Sequence, residues 1–511
     1  MKKIKTIILT FIFLFSPVWA SENNNSNSSL RNLFINKKAV IYAINIRSFG
    51  AKDLNGDEIV DTDYEEKGTF LNAAERLDEL KRLGINTIYL LPITKTGKLK
   101  ALGTAGSLYS MDSFNRINPQ FDDTNNQLDI KDEAKFFMDE AHKKGFKVMV
   151  DLPSCGSYDM TLEKPELFLK NKDNSAITPS DWTDVRLFKT LERDGKLNDA
   201  LMQEYKSFID LAIELNADGI RADVAGIKPK EFWLEIIKYT REKNPEMFFL
   251  AEASNSWSNP IKPYSDYLSV NELLQTGFDG YYGEYMNFLG YKDGREFIKT
   301  LEREKKILKK FDNKKATMAT FATHDQTSPN INGDGIYSKM IIWLSTTLPT
   351  NTYYLDGFPT GDRYIYGYEN KKANKSSTDD DYLFVHRGKF DIFNFSRRPG
   401  GENSEIRDEI LASNRFRIWA GDILSYGSLK FIKTGNKNVV AFERKYKKDK
   451  VIVIFNMDQK SPNSAKIHIP QLKKANNFTP IREAKNYTVE NNNIIFNLSN
   501  GEIAVFIFSQ N

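Results

Sequence analysis

The amino-acid sequence predicts an α/β protein: a closed (β/α)8 TIM barrel, a short subdomain inserted after its third strand, and a C-terminal antiparallel β-sandwich domain. Three observations predict it. Amphipathic segments with apolar residues at helical spacing are each followed, after a glycine or proline stop, by a short apolar run, seven or eight times over about 400 residues. No glycine-rich phosphate loop follows the first apolar run, which argues against an open dinucleotide-binding sheet. After about Ser428 the pattern changes to short alternating segments, as in antiparallel strands.

At the N-terminus, Lys2, Lys3 and Lys5 precede an apolar run from residue 7 to 15 and a small-x-small site, Val18-Trp19-Ala20, before Ser21. That is the order of a Sec-type signal peptide over residues 1–20. The run is about half the ~20 residues of a membrane span, so an uncleaved anchor is the weaker alternative. The expectation is a secreted or periplasmic protein with no stable membrane insertion after cleavage. Residues 21–34 open with an Asn/Ser-rich stretch and are expected to form a flexible leader.

The barrel is expected over residues 35–151 and 198–427. Residues 40–46 are β-branched and apolar, a buried first strand. Residues 69–83 read as a helix stopped by Gly84, and 86–91 as a strand closed by Pro92; residues 130–144, Gly145 and 147–151 repeat the unit. Residues 198–216 lead to the strand 219–223, and 230–243, with Pro245 after them, to the strand 248–252. Residues 295–310 precede 317–325 and residues 335–344 precede 346–355, while the sixth unit, near 278–285, is less clear. Between units three and four, residues 152–197 are too long for an ordinary loop and carry Pro153, Pro165 and Pro179, so a subdomain over the barrel mouth is expected there. Residues 366–399, rich in Lys, Asn, Asp and Ser, read as an exposed insert, and residues 428–511 as the β domain.

Composition narrows the function. Lys+Arg 72 against Asp+Glu 68, spread along the chain, leave a net charge of +4 and no basic patch to track phosphates, so no nucleic-acid partner is expected. The single cysteine, Cys155, allows no intrachain disulfide, and the four histidines lack zinc-ligand spacing. Asp53-Leu54-Asn55-Gly56-Asp57-Glu58-Ile59-Val60-Asp61 places oxygen-bearing side chains at alternate positions, Ile59 excepted, around a turn glycine. In that spacing Asp53, Asn55, Asp57 and Asp61 with the Ile59 carbonyl hold calcium; a plain polar turn is the alternative, because position twelve is Tyr64 instead of a glutamate.

The chemistry lies at the strand ends. Arg221 and Asp223 stand two apart and share a face of their strand, so a permanent cation lies beside a carboxylate and holds it ionised, as a carboxylate nucleophile requires. An ordinary buried ion pair has the same pattern. The setting separates the two: Asp151, Asp223, Glu252 and Asp325 end four different strands and would converge at one barrel mouth. Several acids, an arginine and no His/Cys pair fit glycoside hydrolysis or transfer by a paired nucleophile and acid. Cys155 near that mouth reads as a packing residue.

In this order the motifs resemble glycoside hydrolase family 13, the α-amylase family. They are Ile41-Tyr42, Gly84-Ile85-Asn86 with Leu91-Pro92-Ile93, Gly106-Ser107-Leu108-Tyr109-Ser110 ahead of Ile117-Asn118-Pro119, Ala141-His142-Lys143-Lys144-Gly145 before Val150-Asp151, the stretch from Gly219 to Asp223, Phe249-Leu250-Ala251-Glu252, and Phe321-Ala322-Thr323-His324-Asp325. The calcium loop is similar to that of the oligo-1,6-glucosidase-like members. The resemblance implies Asp223 as nucleophile, Glu252 as general acid/base and Asp325 as the carboxylate that grips sugar hydroxyls. It implies that Arg221, His324, Tyr109 and Asp151 serve substrate binding, with Arg221 and His324 orienting the nucleophile and the ring and Tyr109 as a stacking platform. Two positions depart: Cys155 and Gly156 stand where the family carries an asparagine that helps hold a second calcium and a histidine that contacts the sugar. The function implied is a retaining α-glucan-active hydrolase, monomeric, acting on starch, glycogen or maltooligosaccharides. Transglycosylation on the same site, or a non-catalytic sugar-binding homologue, is the alternative.

Overall fold

The computed structural model describes residues 28–51, 67–101, 107–180, 182–262, 264–332, 335–361, 404–470, 472 and 477–509. The expected signal peptide, the calcium loop and the insert at 366–399 lie outside the described residues.

Eight parallel strands form the barrel: β1 (Val40–Ile44), β2 (Thr87–Leu90), β3 (Lys147–Leu152), β4 (Gly219–Ala222), β5 (Phe248–Ala251), β6 (Gly280–Tyr281), β7 (Ala316–Thr317) and β8 (Thr352–Leu355), in the spatial order β8-β1-β2-β3-β4-β5-β6-β7. The ring closes where Met318, just past β7, bridges Asn351, just before β8. The first five strands are buried throughout or nearly so, which is why they read as continuous apolar runs instead of alternating ones.

Three expectations about the elements are corrected. Residues 30–34 are no flexible leader. Leu30–Ile35 is a helix capped by the Ser29 side chain, and Leu30, Leu33 and Phe34 are buried in the core. It seals the N-terminal end of the barrel: Phe34 meets the Phe248 ring at 4.6 Å, and Arg31 pairs with Asp279 at 2.8 Å. A β-carbon on Gly280 would come within 2.2 Å of Phe34, and one on Gly219 within 2.9 Å of Leu30, so both strands start with glycine to admit the plug. The eighth strand begins at Thr352 instead of residue 346, because the helix Ile336–Thr347 runs on through residues buried on every side until Leu348-Pro349 stops it. In the seventh unit only Ala316–Thr317 forms a strand, and beyond the Met318 bridge the chain leaves the sheet as a loop carrying His324 and Asp325.

Over the mouth, the two-residue strands Cys155–Gly156 and Arg186–Leu187 pair antiparallel within the inserted subdomain. At the C-terminus a five-stranded and a three-stranded antiparallel sheet enclose their own core, which includes Ile452, Ile467, Phe496 and Phe506. Arg444, fully buried, reaches from this domain to the carbonyls of Thr347, Leu424 and Gly427 at 2.7–3.0 Å, tying it to the barrel's last helices.

Candidate active site

The parallel register sets Asp151 of β3 beside Arg221 of β4, and Ala222 beside Ala251 of β5. Asp223 and Glu252 are therefore the first residues beyond two adjacent strand ends. Arg221, fully buried, is the hub. Its Nη1 donates to Asp151 Oδ1 at 2.8 Å and to Asp223 Oδ1 at 3.0 Å, and its Nε donates to the Tyr282 hydroxyl at 3.0 Å. Its Nη2 lies 2.8 Å from Glu252 Oε1, an ion pair without hydrogen-bond alignment. The rings of Tyr109 and Tyr282 lie 5.6 and 5.5 Å from the guanidinium.

Access to solvent grades the four acids. The Asp151 side chain is 0% exposed, that of Glu252 7%, that of Asp223 13% and that of Asp325 37%. Asp151 and Arg221 are thus sealed beneath the acids that reach solvent. Asp151 accepts from Tyr89 at 2.5 Å, Tyr109 at 2.7 Å and Arg221, and so orients those groups. Burial pushes its carboxyl up to about 6 against the pull of Arg221. The same cause raises Glu252 to about 8: burial first, opposed by Arg221, with Asp223 and Asp325 adding repulsion.

Asp223 is held on both carboxylate oxygens, Oδ1 by Arg221 and Oδ2 by the main-chain N–H of Ser154 at 3.0 Å. The next residue, Val224, takes a left-handed backbone (φ 36°), uncommon for any side chain and an outlier for a β-branched one. That turn aims its N–H at Glu252 Oε2, 2.7 Å away. Such strain costs about 1–3 kcal/mol and persists only where the surroundings enforce it. On the opposite wall, Tyr109 and His324 stack with rings 3° from parallel, and the Tyr109 hydroxyl lies 2.6 Å from His324 Nε2. His324 Nε2 is in turn 3.3 Å from Asp325 Oδ2. Tyr109, partly exposed, retains ring surface at the mouth.

The structure therefore brings together Asp151, Arg221, Asp223, Glu252, Tyr109, His324 and Asp325. Sequence reasoning missed Tyr89, Tyr282, Ser154 and Val224. Tyr282 belongs to the sixth unit, whose two-residue strand is too short for a periodic signal. Among the described residues no group of three or more His, Cys, Asp or Glu could hold a metal ion.

Cys155 is buried with Ile177, Val185, Leu187, Ile227 and Ile261, and burial pushes its thiol up to about 12, so it packs and does not react. Gly156 has no open space beside it for a side chain. A β-carbon there would lie 2.7 Å from Phe168 and 2.8 Å from Phe188, so two rings fill the direction a side chain would take. Gly156→His is accordingly expected to destabilise the fold by about 1–3 kcal/mol or more, read as a lower denaturant midpoint, and not to create a sugar contact. A wild-type midpoint would refute this packing account.

Comparison with known proteins gives two matched segments. Residues 52–182 match the model of the α-amylase catalytic domain, and residues 429–499 that of the maltogenic amylase C-terminal domain. An α-1,4-glucan:maltose-1-phosphate maltosyltransferase of Bifidobacterium animalis subsp. lactis is 22% identical over 447 residues, 81% of this chain and 55% of that protein. Alpha-amylase 3 of Dictyoglomus thermophilum is 21% identical over 466 residues, 83% of this chain and 85% of that one. The chain thus spans only about half the length of the maltosyltransferase it matches. Among solved structures, an α-amylase from Lactobacillus plantarum superposes with a TM-score of 0.69 at 20% identity, covering 93% of this chain and 99% of the other, a likeness of fold.

Proposed function

We propose that the chain is an enzyme of the α-amylase family, exported and retaining, that opens α-glucosidic bonds of starch, glycogen or maltooligosaccharides, a reading supported by the matches over residues 52–182 and 429–499. The observation that carries this reading is one buried arginine serving the two carboxylates, Asp223 and Glu252, that follow adjacent strand ends. Asp223 attacks the anomeric carbon, the glycosidic C–O bond breaks, and the leaving oxygen takes the proton of Glu252. Water, deprotonated by Glu252, then releases the sugar with its α configuration retained. Asp325, the most exposed of the acids, grips hydroxyls of the ring beside His324 and Tyr109. The oxocarbenium-like transition state is cationic, so fixed carboxylates stabilise it without reorganising.

Proton NMR of fresh maltooligosaccharide digests tests the reading: the α-anomer of the new reducing end is expected first. Turnover on no α-glucan would favour a sugar-binding protein. Transfer is the second reading, favoured by the maltosyltransferase likeness over 81% of this chain; products longer than the substrate would establish it.

Glu252 also sets an expected pH limb. A general acid must hold its proton, and burial keeps this one protonated until about 8. Activity (kcat/KM) is therefore expected to fall about tenfold per pH unit above that value. A flat profile to pH 10 would remove Glu252 from the role of acid.

Calcium at Asp53, Asn55, Asp57, Ile59 and Asp61 is part of the proposal and rests on sequence spacing. Chelation is expected to lower the melting temperature and added calcium to restore it. A melting temperature indifferent to both would dismiss that site.

A further inference from the structure

Behind the nucleophile lies a buried charge that the reaction as described does not use. Lys228, five residues after Asp223, is 3% exposed. Its ammonium lies 5.2, 5.6 and 6.0 Å from the ring centroids of Phe188, Tyr205 and Phe232 and donates to the carbonyl of Ser154 at 2.9 Å. Removing an ammonium from water is costly, and an aromatic cage returns only part of the loss. Burial drives this lysine down to about 8, with Cys155 and Asp223 drawing it back up.

Ser154 connects the cage to the nucleophile. Its carbonyl takes the Lys228 ammonium, its main-chain N–H donates to Asp223 Oδ2 at 3.0 Å, and its hydroxyl donates to the Asp223 carbonyl. The residue is thus anchored below by a cation and bonded above to both the main chain and the carboxylate of Asp223. Arg221 holds only Oδ1 of that carboxylate and is shared with Asp151 and Glu252. Rotation of the carboxylate about its Cβ–Cγ bond is therefore opposed by the Ser154 N–H, and Lys228 holds the carbonyl of that same residue. The loop has further anchors on either side, the Tyr205 hydroxyl donating to the Pro153 carbonyl at 3.4 Å and Cys155–Gly156 pairing with Arg186–Leu187, but the side chain that reaches the Ser154 carbonyl is that of Lys228.

We infer that Lys228 and Ser154 are positioning residues for the nucleophile, a role that rests on the retaining reaction proposed above. The ammonium fixes the loop after the third strand, and that loop fixes the angle at which the Asp223 carboxylate meets the anomeric carbon. Neither residue touches sugar in this account, so their loss should slow formation of the glycosyl–enzyme ester and spare binding.

The test follows ester formation at Asp223 in the full chain. A 5-fluoro-α-glucosyl fluoride esterifies a retaining nucleophile with loss of fluoride, and the ester hydrolyses slowly enough to be weighed by mass spectrometry. Wild type is expected to be labelled at Asp223. Lys228→Met, which keeps the stem in the cage and removes the charge, is expected to label about 10- to 100-fold more slowly, with KM for a maltooligosaccharide changed less than about threefold. Ser154→Ala removes only the hydroxyl and is expected to slow labelling by a smaller factor; it decides the matter alone if Lys228→Met does not fold. Labelling of folded variants at the wild-type rate would overturn the positioning role and leave the proposed reaction standing. Wild type that turns over no α-glucan and takes no label at Asp223 would overturn the reaction and the positioning role with it.

Discussion

Asp223→Asn is expected to lower turnover on maltooligosaccharides by about 10⁴-fold or more, the range seen when a nucleophile is removed from an intact constellation. The amide has nearly the shape of the carboxylate but no charge to attack or to steady a cationic transition state. Its effect on folding is a separate quantity. Asp223 accepts on both oxygens, from Arg221 and from the Ser154 N–H. Asparagine keeps one acceptor and turns an NH2 toward the other donor, which costs about 1–3 kcal/mol. The expected outcome is a folded, nearly inactive protein with a modestly lower melting temperature. Should the variant keep more than a few per cent of wild-type turnover, Asp223 is not the nucleophile.

Arg221→Met is expected to have the largest effect on stability, a loss of about 3–5 kcal/mol, because it leaves buried carboxylates without their cation. Asp151, Asp223 and Glu252 all lose a partner at 2.8–3.0 Å. The loss has a pH dependence whose sign is fixed. Burial already raises Asp151 to about 6 and Glu252 to about 8, and Arg221 is the chief opposing influence on each. Without it both carboxyls rise further above the ~4 of an unfolded chain. The folded variant then binds more protons than the unfolded one across that window, so its stability falls as pH rises. Denaturant midpoints at pH 5.5 and pH 8 check this: the gap from wild type should be wider at pH 8. Equal gaps at the two values would mean that Arg221 does not govern the protonation of this cluster.

The repeating helix-then-strand pattern, with glycine or proline stops, determined the barrel from the sequence, because strands buried on both faces must be apolar throughout. The acids near the ends of those runs were legible for the same reason: Asp223 and Glu252 directly follow their strands and Asp151 stands one residue before the end of its own, each after a mainly apolar run. The change to alternation after Ser428 marked the β domain by the same logic of one buried face.

Only the tertiary structure decided how these residues divide their work. Sequence spacing cannot give exposure, and exposure separates Asp151, sealed under two tyrosines, from Asp325 at the surface of the mouth. Nor can it give the partners that come from distant segments, such as Leu30 and Phe34 filling the space beside Gly219 and Gly280. Local sequence sets which residues alternate and where chains turn. The direction of a side chain among neighbours far along the chain is set by the close packing of the barrel, and that packing sets Arg221 among three acids and the Ser154 N–H on the Asp223 carboxylate.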